Sequence, residues 1–190
     1  MKMFIDCDPG VDDSIAILFT LFRQDVEVVG ISTSTGNVSA AQGADNALRI
    51  LKLAGFEGKV PVCAGAEKPL VGECEDFPAF IHGTNGTGNV ELPASSQKPV
   101  DMDVCDFMYQ KACENEGELV LISLGRMTNL ANTLGKYPDY AKKIKRVVAM
   151  GGTVYASGNV SPVVEANIGG DPEAALICPS LTYTISRVLR

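Results

Sequence analysis

Four aspartates lie within eight positions near the start of the sequence: Asp6, Asp8, Asp12 and Asp13. Like charges this close repel one another, so a compact fold keeps them ionised mainly by binding a hard cation, or lets them share a proton. A helix N-cap whose charges favour the helix dipole explains one or two aspartates, but not four. The spacing therefore predicts a metal site or an active site.

The residues around these aspartates predict the elements that position them. The apolar run 3–5 indicates a buried strand, the Pro-Gly pair at 9–10 indicates a sharp turn, and the last two aspartates begin a helix. Because side chains alternate along a strand, Asp6 and Asp8 are expected on one side of it, and the turn returns the other two toward them. The predicted apolar face of the helix consists of Ile15, Leu18, Phe19 and Phe22.

Composition narrows the class of protein. The chain has 190 residues, 46% of them hydrophobic and 21% charged, as expected for one globular domain. Its net charge of −7 argues against nucleic acid or an anionic membrane as the main partner. The six cysteines are scattered without a C-x-x-C pair, which favours reduced thiols, and no apolar run approaches the length of a membrane span. We therefore expect a cytoplasmic protein without a membrane partner.

Apolar runs alternate with helical patterns along most of the chain. Strands are predicted at 3–7, 26–32, 60–64, 119–124 and 145–150, and helices at 12–23, 39–54, 101–115, 127–136 and 171–177. Continuous Val, Ile and Leu runs indicate strands covered on both faces. The predicted fold class is therefore α/β, with an open, mainly parallel sheet and helices on both faces. Residues 65–100 form a long irregular stretch of the kind that often carries function.

Polar and glycine residues occur where the predicted strands end. They are Asp6 and Asp8, the segment 34–37, Gly65, the pair 124–125 and the pair 151–152. In open α/β sheets ligands bind outside the carboxyl ends of the strands, so these residues are expected to line one cleft.

A second polar group lies in an otherwise small and apolar segment. Asn159, Glu165 and Asn167 suit a pocket that binds a polyhydroxylated ligand. Equally, the asparagines could only cap turns in a loop.

With these motifs in view, the sequence resembles the inosine-uridine preferring nucleoside hydrolases. The run Asp6-Cys-Asp8-Pro-Gly-Val-Asp12-Asp13 is similar to the aspartate-rich signature of that family. The likeness continues through Gly36-Asn37, His82-Gly83, Gly125-Arg126-Met127-Thr128-Asn129 and the segment from Asn159 through Glu165, Asn167 and Asp171 to Ala175. It covers residues 3 to about 177 in order and implies the Rossmann-like nucleoside hydrolase fold.

The resemblance implies a calcium-dependent N-ribohydrolase that splits purine and pyrimidine nucleosides into free base and ribose. Ca²⁺ would be held by Asp8, Asp13 and the main-chain carbonyl of Leu124, and Asp8 would accept the proton of a calcium-bound water. Substrate contacts are implied for Asp12, Asn37, His82, Asn159, Glu165 and Asn167, with His82 facing the base. A loop histidine without function is the alternative for His82. The family likeness also implies a homo-oligomer, either a dimer or a tetramer.

The sequence departs from the family pattern in two places. Gly125-Arg126 stands where the family usually has Gly-Pro, a change that can reshape the turn without removing the carbonyl of Leu124. Family chains continue for roughly another hundred residues, with a further calcium-ligating aspartate and a histidine that protonates the leaving base. The segment after Ile177 does not look like the family's next strand. We therefore expect 1–190 to be a single nucleoside hydrolase-like domain, incomplete at its C-terminus and weakly active or inactive.

Two other functions remain open. Haloacid dehalogenase-like phosphatases also place Asp-x-Asp after a first strand, with Mg²⁺ alongside and the first Asp as nucleophile, but they leave Asp12 and Asp13 without a role. The third possibility is a non-catalytic remnant that binds a ribosyl ligand or a partner subunit.

Overall fold

The computed structural model of the protein describes residues 1–74 and 77–178, together with the backbone of 183–186. The strands are β1 (Lys2–Cys7), β2 (Glu27–Thr33), β3 (Val62–Ala64), β4 (Val120–Ser123), β5 (Arg146–Met150) and β6 (Tyr183–Ser186). The helices are α1 (Val11–Leu21), α2 (Ala40–Leu53), α3 (Ala79–His82), α4 (Val104–Glu114), α5 (Thr128–Lys136), α6 (Tyr140–Lys143), α7 (Ala166–Gly170) and α8 (Pro172–Ile177). The described part of the chain contains no helix long and apolar enough to cross a membrane.

The strands form one sheet in the order β3-β2-β1-β4-β5-β6, and every neighbouring pair is parallel. Alternation along β1 divides the core between the two faces. Phe4 packs with Phe107 and Leu130 of α4 and α5, whereas Ile5 packs with Ile17 and Leu51 of α1 and α2. The predicted open parallel α/β sheet with helices on both faces is confirmed.

The strand order places a crevice at the carboxyl ends of β1 and β4. From β1 the chain first builds outward through β2 and β3, and then returns to the other side of β1 to build β4, β5 and β6. Loops that leave β1 and β4 therefore diverge to opposite faces of the sheet. Ligands of open α/β sheets bind at such a switch point.

Helix α1 exists as predicted, and Leu18 packs against the core as predicted, but the other three residues of the predicted apolar face lie outward. Ile17 and Leu21 are its buried apolar residues, whereas Ile15, Phe19 and Phe22 are 63%, 66% and 66% exposed. The cause is a polar residue that must face inward. Asp13 is buried, and side chains four and eight positions later share its face of the helix.

The segment after Ile177 also differs from expectation. This segment does not look like the family's next strand in sequence, but Tyr183–Ser186 forms β6 and pairs in parallel with β5. The other residues of 179–190, like 75–76 of the long loop, lie outside the described residues. Four residues are too few for a period to be read from sequence, and the same limit explains why the five-residue α7 was not predicted.

Candidate active site

Two aspartates meet where β1 ends and α1 begins. Asp8 follows the last residue of β1, and the chain turns through Pro9 and Gly10 into the helix that carries Asp13. Asp8 and Asp13 are only 2% and 4% exposed. The turn thus buries one aspartate from each element.

Asn37, in the loop after β2, joins the two carboxylates. Its backbone N–H donates to Asp8 Oδ2 over 2.7 Å, and its side-chain Nδ2 donates to Asp13 Oδ2 over 3.1 Å. Asp13 Oδ2 also accepts the backbone N–H of Gly10 at 3.2 Å. Asp13 Oδ1 is buried and has no hydrogen-bond partner among the residues that the structure describes. This oxygen is a free acceptor inside the site.

Two glycines make room for the Asp8 carboxylate. A Cβ added to Gly36 would overlap Asp8 Oδ2, and one added to Gly125 would lie 2.7 Å from Asp8 Oδ1. Real Cβ atoms do not approach this closely. The loops after β2 and β4 therefore hold Asp8 between two stretches of bare backbone.

Burial and mutual repulsion make both carboxylates hard to ionise. Burial raises the pKa of Asp8 well above its ordinary value, and the charges of Asp13 and Asp12 raise it further. Burial and the charge of Asp12 likewise raise the pKa of Asp13. The backbone hydrogen bond from Asn37 and the positive charge of Arg126 lower the pKa of Asp8.

These residues fit a hard cation. Asp13 Oδ1 would coordinate a divalent ion, and the charge of that ion would offset the repulsion between the aspartates that raises the pKa values of Asp8 and Asp13. Within the described ranges no group of three or more His, Cys, Asp or Glu side chains could hold a metal. The predicted set is of a different kind, because its third member is a main-chain carbonyl. That carbonyl, of Leu124, accepts Asn167 Nδ2 at 2.6 Å and has a second lone pair for another partner.

The polar segment after β5 packs against the end of β4. Besides Leu124, Asn167 Nδ2 donates to the carbonyl of Met150 at 3.0 Å. Glu165 is 3% exposed and caps α7, accepting the backbone N–H of Asn167 at 2.9 Å and that of Gly152 at 2.8 Å. Asn159 is exposed, and its Oδ1 accepts the backbone N–H of Ala166 at 2.9 Å. Both asparagines bond to backbone groups, and the other half of each amide has no partner in the described part of the chain.

His82 and Asp12 lie together at the start of α1. His82 is 7% exposed, and its Nδ1 accepts the backbone N–H of Val11 at 3.2 Å. This bond assigns the proton of the neutral ring to Nε2. The side chain of Asp12 is 76% exposed, with Oδ1 3.7 Å from His82 Nδ1. Asp12 therefore does not join the buried pair, although the turn brings it close enough to act on both carboxylates.

A buried polar network beneath the pair was not predicted as such. Asn129 donates to Asp6 Oδ1 at 2.8 Å and to the carbonyl of Thr33 at 3.0 Å, and accepts the N–H of Ala66 at 2.9 Å. Asp6 also accepts Ser32 Oγ at 2.6 Å, and its burial raises the pKa to about 6. The polar residues stood out in the sequence, but their partners come from separate strands.

Asp171 forms a second link of this kind. It accepts the hydroxyl of Thr128 at 2.5 Å, the N–H of Leu70 at 3.0 Å and, as the N-cap of α8, the N–H of Ala174 at 3.0 Å. The Asp-Pro pair before a helical pattern signals the cap. Nothing in the sequence signals the other two bonds.

Known proteins resemble this chain in sequence and in structure. The family described as inosine-uridine preferring nucleoside hydrolase matches residues 3–184. The likeness thus continues past Ile177, contrary to expectation. Uridine nucleosidase 1 of Arabidopsis thaliana is 42% identical over 174 residues, which are 92% of this chain and 52% of that protein. The inosine-uridine preferring nucleoside hydrolase of Leishmania major is 35% identical over 189 residues, 98% of this chain and 59% of that protein.

Solved structures agree. A purine-preferring ribonucleoside hydrolase from Gardnerella vaginalis matches with a TM-score of 0.89 at 39% identity, and the match covers 93% of this chain and 57% of the hydrolase chain. A plant nucleoside hydrolase has a TM-score of 0.88 at 42% identity, covering 93% of this chain and 55% of its own. The chain spans about half the length of the curated relatives it matches. On sequence and fold together, this chain belongs to the inosine-uridine preferring nucleoside hydrolase family.

Proposed function

We propose that the protein hydrolyses the N-glycosidic bond of ribonucleosides to free base and ribose, with Ca²⁺ held by Asp8, Asp13 and the carbonyl of Leu124. The observation that carries the proposal is the buried carboxylate pair with the free acceptor Asp13 Oδ1, at the sheet edge where ligands of such folds bind. Family membership supports the reaction class. The names of the relatives give the substrate class, a ribonucleoside.

Asp8 is the general base of this proposal. When bound, the cation would polarise a water molecule so that it gives up a proton more readily. Asp8 takes that proton while the water oxygen bonds to the anomeric carbon of ribose and the bond between that carbon and the base nitrogen breaks. The electron pair of that bond stays on the nitrogen, which takes up a proton to give the free base, and Asp8 returns its own proton to solvent. Asn37 fixes the carboxylate orientation through its bond to Oδ2.

The ribose would be held by polar groups on both sides of Asp8. As its glycosidic bond breaks, the sugar approaches an oxocarbenium ion, and hydrogen bonds to its hydroxyls strengthen. Asp12 and Asn37 offer acceptors and donors on one side, and Asn159, Glu165 and Asn167 on the other. The spare amide groups of the two asparagines and the exposed carboxylate of Asp12 support these roles.

His82 would face the base of the nucleoside. Its Nδ1 is engaged by Val11, so Nε2–H is the group left to donate a hydrogen bond. Its burial beside Gly10 and Asp12 argues against a loop histidine without function.

Calcium binding and base release test the proposal. Calorimetry on the chelator-treated chain should show one Ca²⁺ bound, with binding abolished in Asp8→Asn and Asp13→Asn. Asp25→Asn is the matched control, because Asp25 is exposed and pairs with Arg23 on the surface. Chromatography should then detect uracil from uridine and hypoxanthine from inosine, with both lost in Asp8→Asn.

The outcomes separate the alternatives. Calcium binding without base release would favour the non-catalytic remnant that binds a ribosyl ligand. Loss of neither calcium nor activity in Asp8→Asn would contradict the assigned base. The haloacid dehalogenase-like phosphatase is not supported by the family match, and phosphate release from p-nitrophenyl phosphate with no release from nucleosides would revive it.

A cytoplasmic homo-oligomer completes the proposal. All the cysteines are free, which supports a reducing compartment. Light scattering would distinguish a dimer or tetramer from a monomer, and cell fractionation would test the location.

A further inference from the structure

Arg126 is a half-buried cation with no hydrogen bond or ion pair to any residue that the structure describes. Five basic side chains of the described ranges are half-buried: Lys2, Arg49, Lys111, Arg126 and Lys143. The other four each form an ion pair, at 2.6, 2.6, 2.7 and 3.4 Å respectively. Among those five, Arg126 alone has no hydrogen bond or ion pair. Because withdrawing a guanidinium from water is costly, its position calls for a compensating interaction.

The position of Arg126 is fixed by two glycines. It lies in the turn between β4 and α5, and a Cβ added to Gly170, the last residue of α7, would overlap its Nε and lie 2.9 Å from its Cζ. The guanidinium therefore packs on bare backbone. The residue before it, Gly125, lies against Asp8, where an added Cβ would be 2.7 Å from Oδ1. The backbone of Arg126 thus directly follows the residue that contacts Asp8.

The charge of Arg126 acts on Asp8 of the buried carboxylate pair. Asp8 experiences the negative charges of Asp13 and Asp12, and Arg126 is the cation that opposes them. A charge–charge interaction without a hydrogen bond depends on the distance between the two groups and not on the alignment of a donor with an acceptor. This fits a guanidinium whose five N–H groups have no acceptor among the described residues.

We propose that Arg126 is the internal counter-charge of the Asp8–Asp13 pair, and that it sets the affinity of the pair for a divalent cation by competing with it. The second part rests on the cation site of the proposed function. A cation held by Asp8 and Asp13 is attracted by both and repelled by Arg126. Removing the charge should therefore tighten cation binding and destabilise the cation-free chain.

Four proteins test this inference: the unaltered chain, Arg126→Gln, Arg126→Lys and Arg146→Gln. Arg146 is the matched control. It is exposed and is the first residue of β5, so it lies at the amino ends of the strands, away from the carboxylate pair. Its substitution by Gln changes the net charge by the same amount. Calorimetry would give the Ca²⁺ dissociation constant, and thermal unfolding in chelator would give the midpoint of the cation-free chain.

We expect Arg126→Gln to bind Ca²⁺ on the order of tenfold more tightly, as Coulomb repulsion in a half-buried setting predicts. Its midpoint in chelator should fall. Arg126→Lys and Arg146→Gln should stay close to the unaltered chain in both measurements.

A packing role for Arg126 gives a different result. Loss of contact with Gly170 would lower the midpoint in Arg126→Lys as well as in Arg126→Gln, with no gain in affinity, and this would overturn the inference. If none of the four proteins binds Ca²⁺, the proposed cation site is wrong. The thermal midpoints in chelator then decide alone whether Arg126 is the counter-charge. A midpoint lowered in Arg126→Gln only would support it, and equal midpoints would overturn it.

Discussion

Asn37 holds the two buried carboxylates of the site close to each other. It bonds to Asp8 through its backbone and to Asp13 through its side chain, so it holds together two groups that repel. Only the second bond depends on the residue type. Substitution of Asn37 therefore separates the side-chain contribution from the backbone one.

Asn37→Ala should weaken Ca²⁺ binding on the order of tenfold, because groups that orient a metal ligand typically contribute that much to affinity. It should also lower the free energy of unfolding by about 2 kcal/mol, the usual cost of losing a hydrogen bond to a buried charge. Calorimetry and urea unfolding measure the two effects. In the control Asn115→Ala, which removes a side-chain bond to the carbonyl of Lys111 at the end of α4, affinity should be unchanged. Equal loss of affinity in both would contradict the role of Asn37.

Asn129 carries the buried network beneath the site. Its amide satisfies Asp6 and the backbone of Thr33 and Ala66 at once, which links β1, β2 and the segment after β3 to α5. Asn129→Ala leaves these buried groups short of partners, and should lower the free energy of unfolding by about 3 kcal/mol or more. Asn132→Ala, on the exposed face of the same helix, should change it by less than about 0.5 kcal/mol. Similar urea midpoints for the two variants would sink the assignment.

The residue types at the site could be predicted from sequence, but their pairing could not. Asp8 and Asp13 are five positions apart, so local turn chemistry brings them together. Asn37 and Asn129 reach the same place from distant positions, and only the strand order shows that they meet. A hydrogen bond between distant segments leaves no local signal.

At the scale of elements, α1 shows how a functional residue overrides hydrophobic pattern. Two of its large apolar side chains, Ile15 and Phe19, lie outward, because the helix must rotate Asp13 into the site. Existence of the helix followed from its local signals, namely the turn before it and its apolar content. The orientation of the helix could not be predicted in this way, because it depends on which residues of other elements the helix packs against.

A pair of truncations in α1 checks this orientation. Ile17 is fully buried, so Ile17→Ala should lower the free energy of unfolding by about 2–4 kcal/mol. Ile15 is 63% exposed, so Ile15→Ala should change it by less than about 0.5 kcal/mol. The two variants remove the same atoms from one helix two positions apart. Urea unfolding that ranks them in the reverse order would support the face expected from sequence.

At the scale of the whole molecule, the parallel sheet places separate loops on one edge. The loops after β1, β2, β4 and β5 supply Asp8, Asn37, Leu124 and Glu165 in turn. The fold class followed from the alternation of buried runs with helical patterns. The sheet's sixth strand was missed, because the short run Tyr183–Ser186 has a partner in β5 that sequence alone does not reveal.

The sheet holds the loops on this edge in place, but the negative charges of the two buried aspartates among these loops oppose folding. Burial and repulsion raise the pKa values of Asp8 and Asp13, so at neutral pH the cation-free chain must hold two carboxylates in an environment that disfavours their charge. A cation that binds the folded chain and not the unfolded one removes this cost. It also adds its own binding free energy to stability.

Ca²⁺ should therefore raise the thermal midpoint of the chelator-treated chain. At 100 times the dissociation constant, binding adds about 2.7 kcal/mol. For a domain of this size that corresponds to an increase of about 5–10 °C. Mg²⁺ should give a smaller increase, because it demands a stricter octahedral geometry and keeps more of its water. The increase should vanish in Asp13→Asn and persist in Asp25→Asn. An equal increase in all three proteins would place calcium elsewhere on the chain and remove the physical basis for Asp8 as the base.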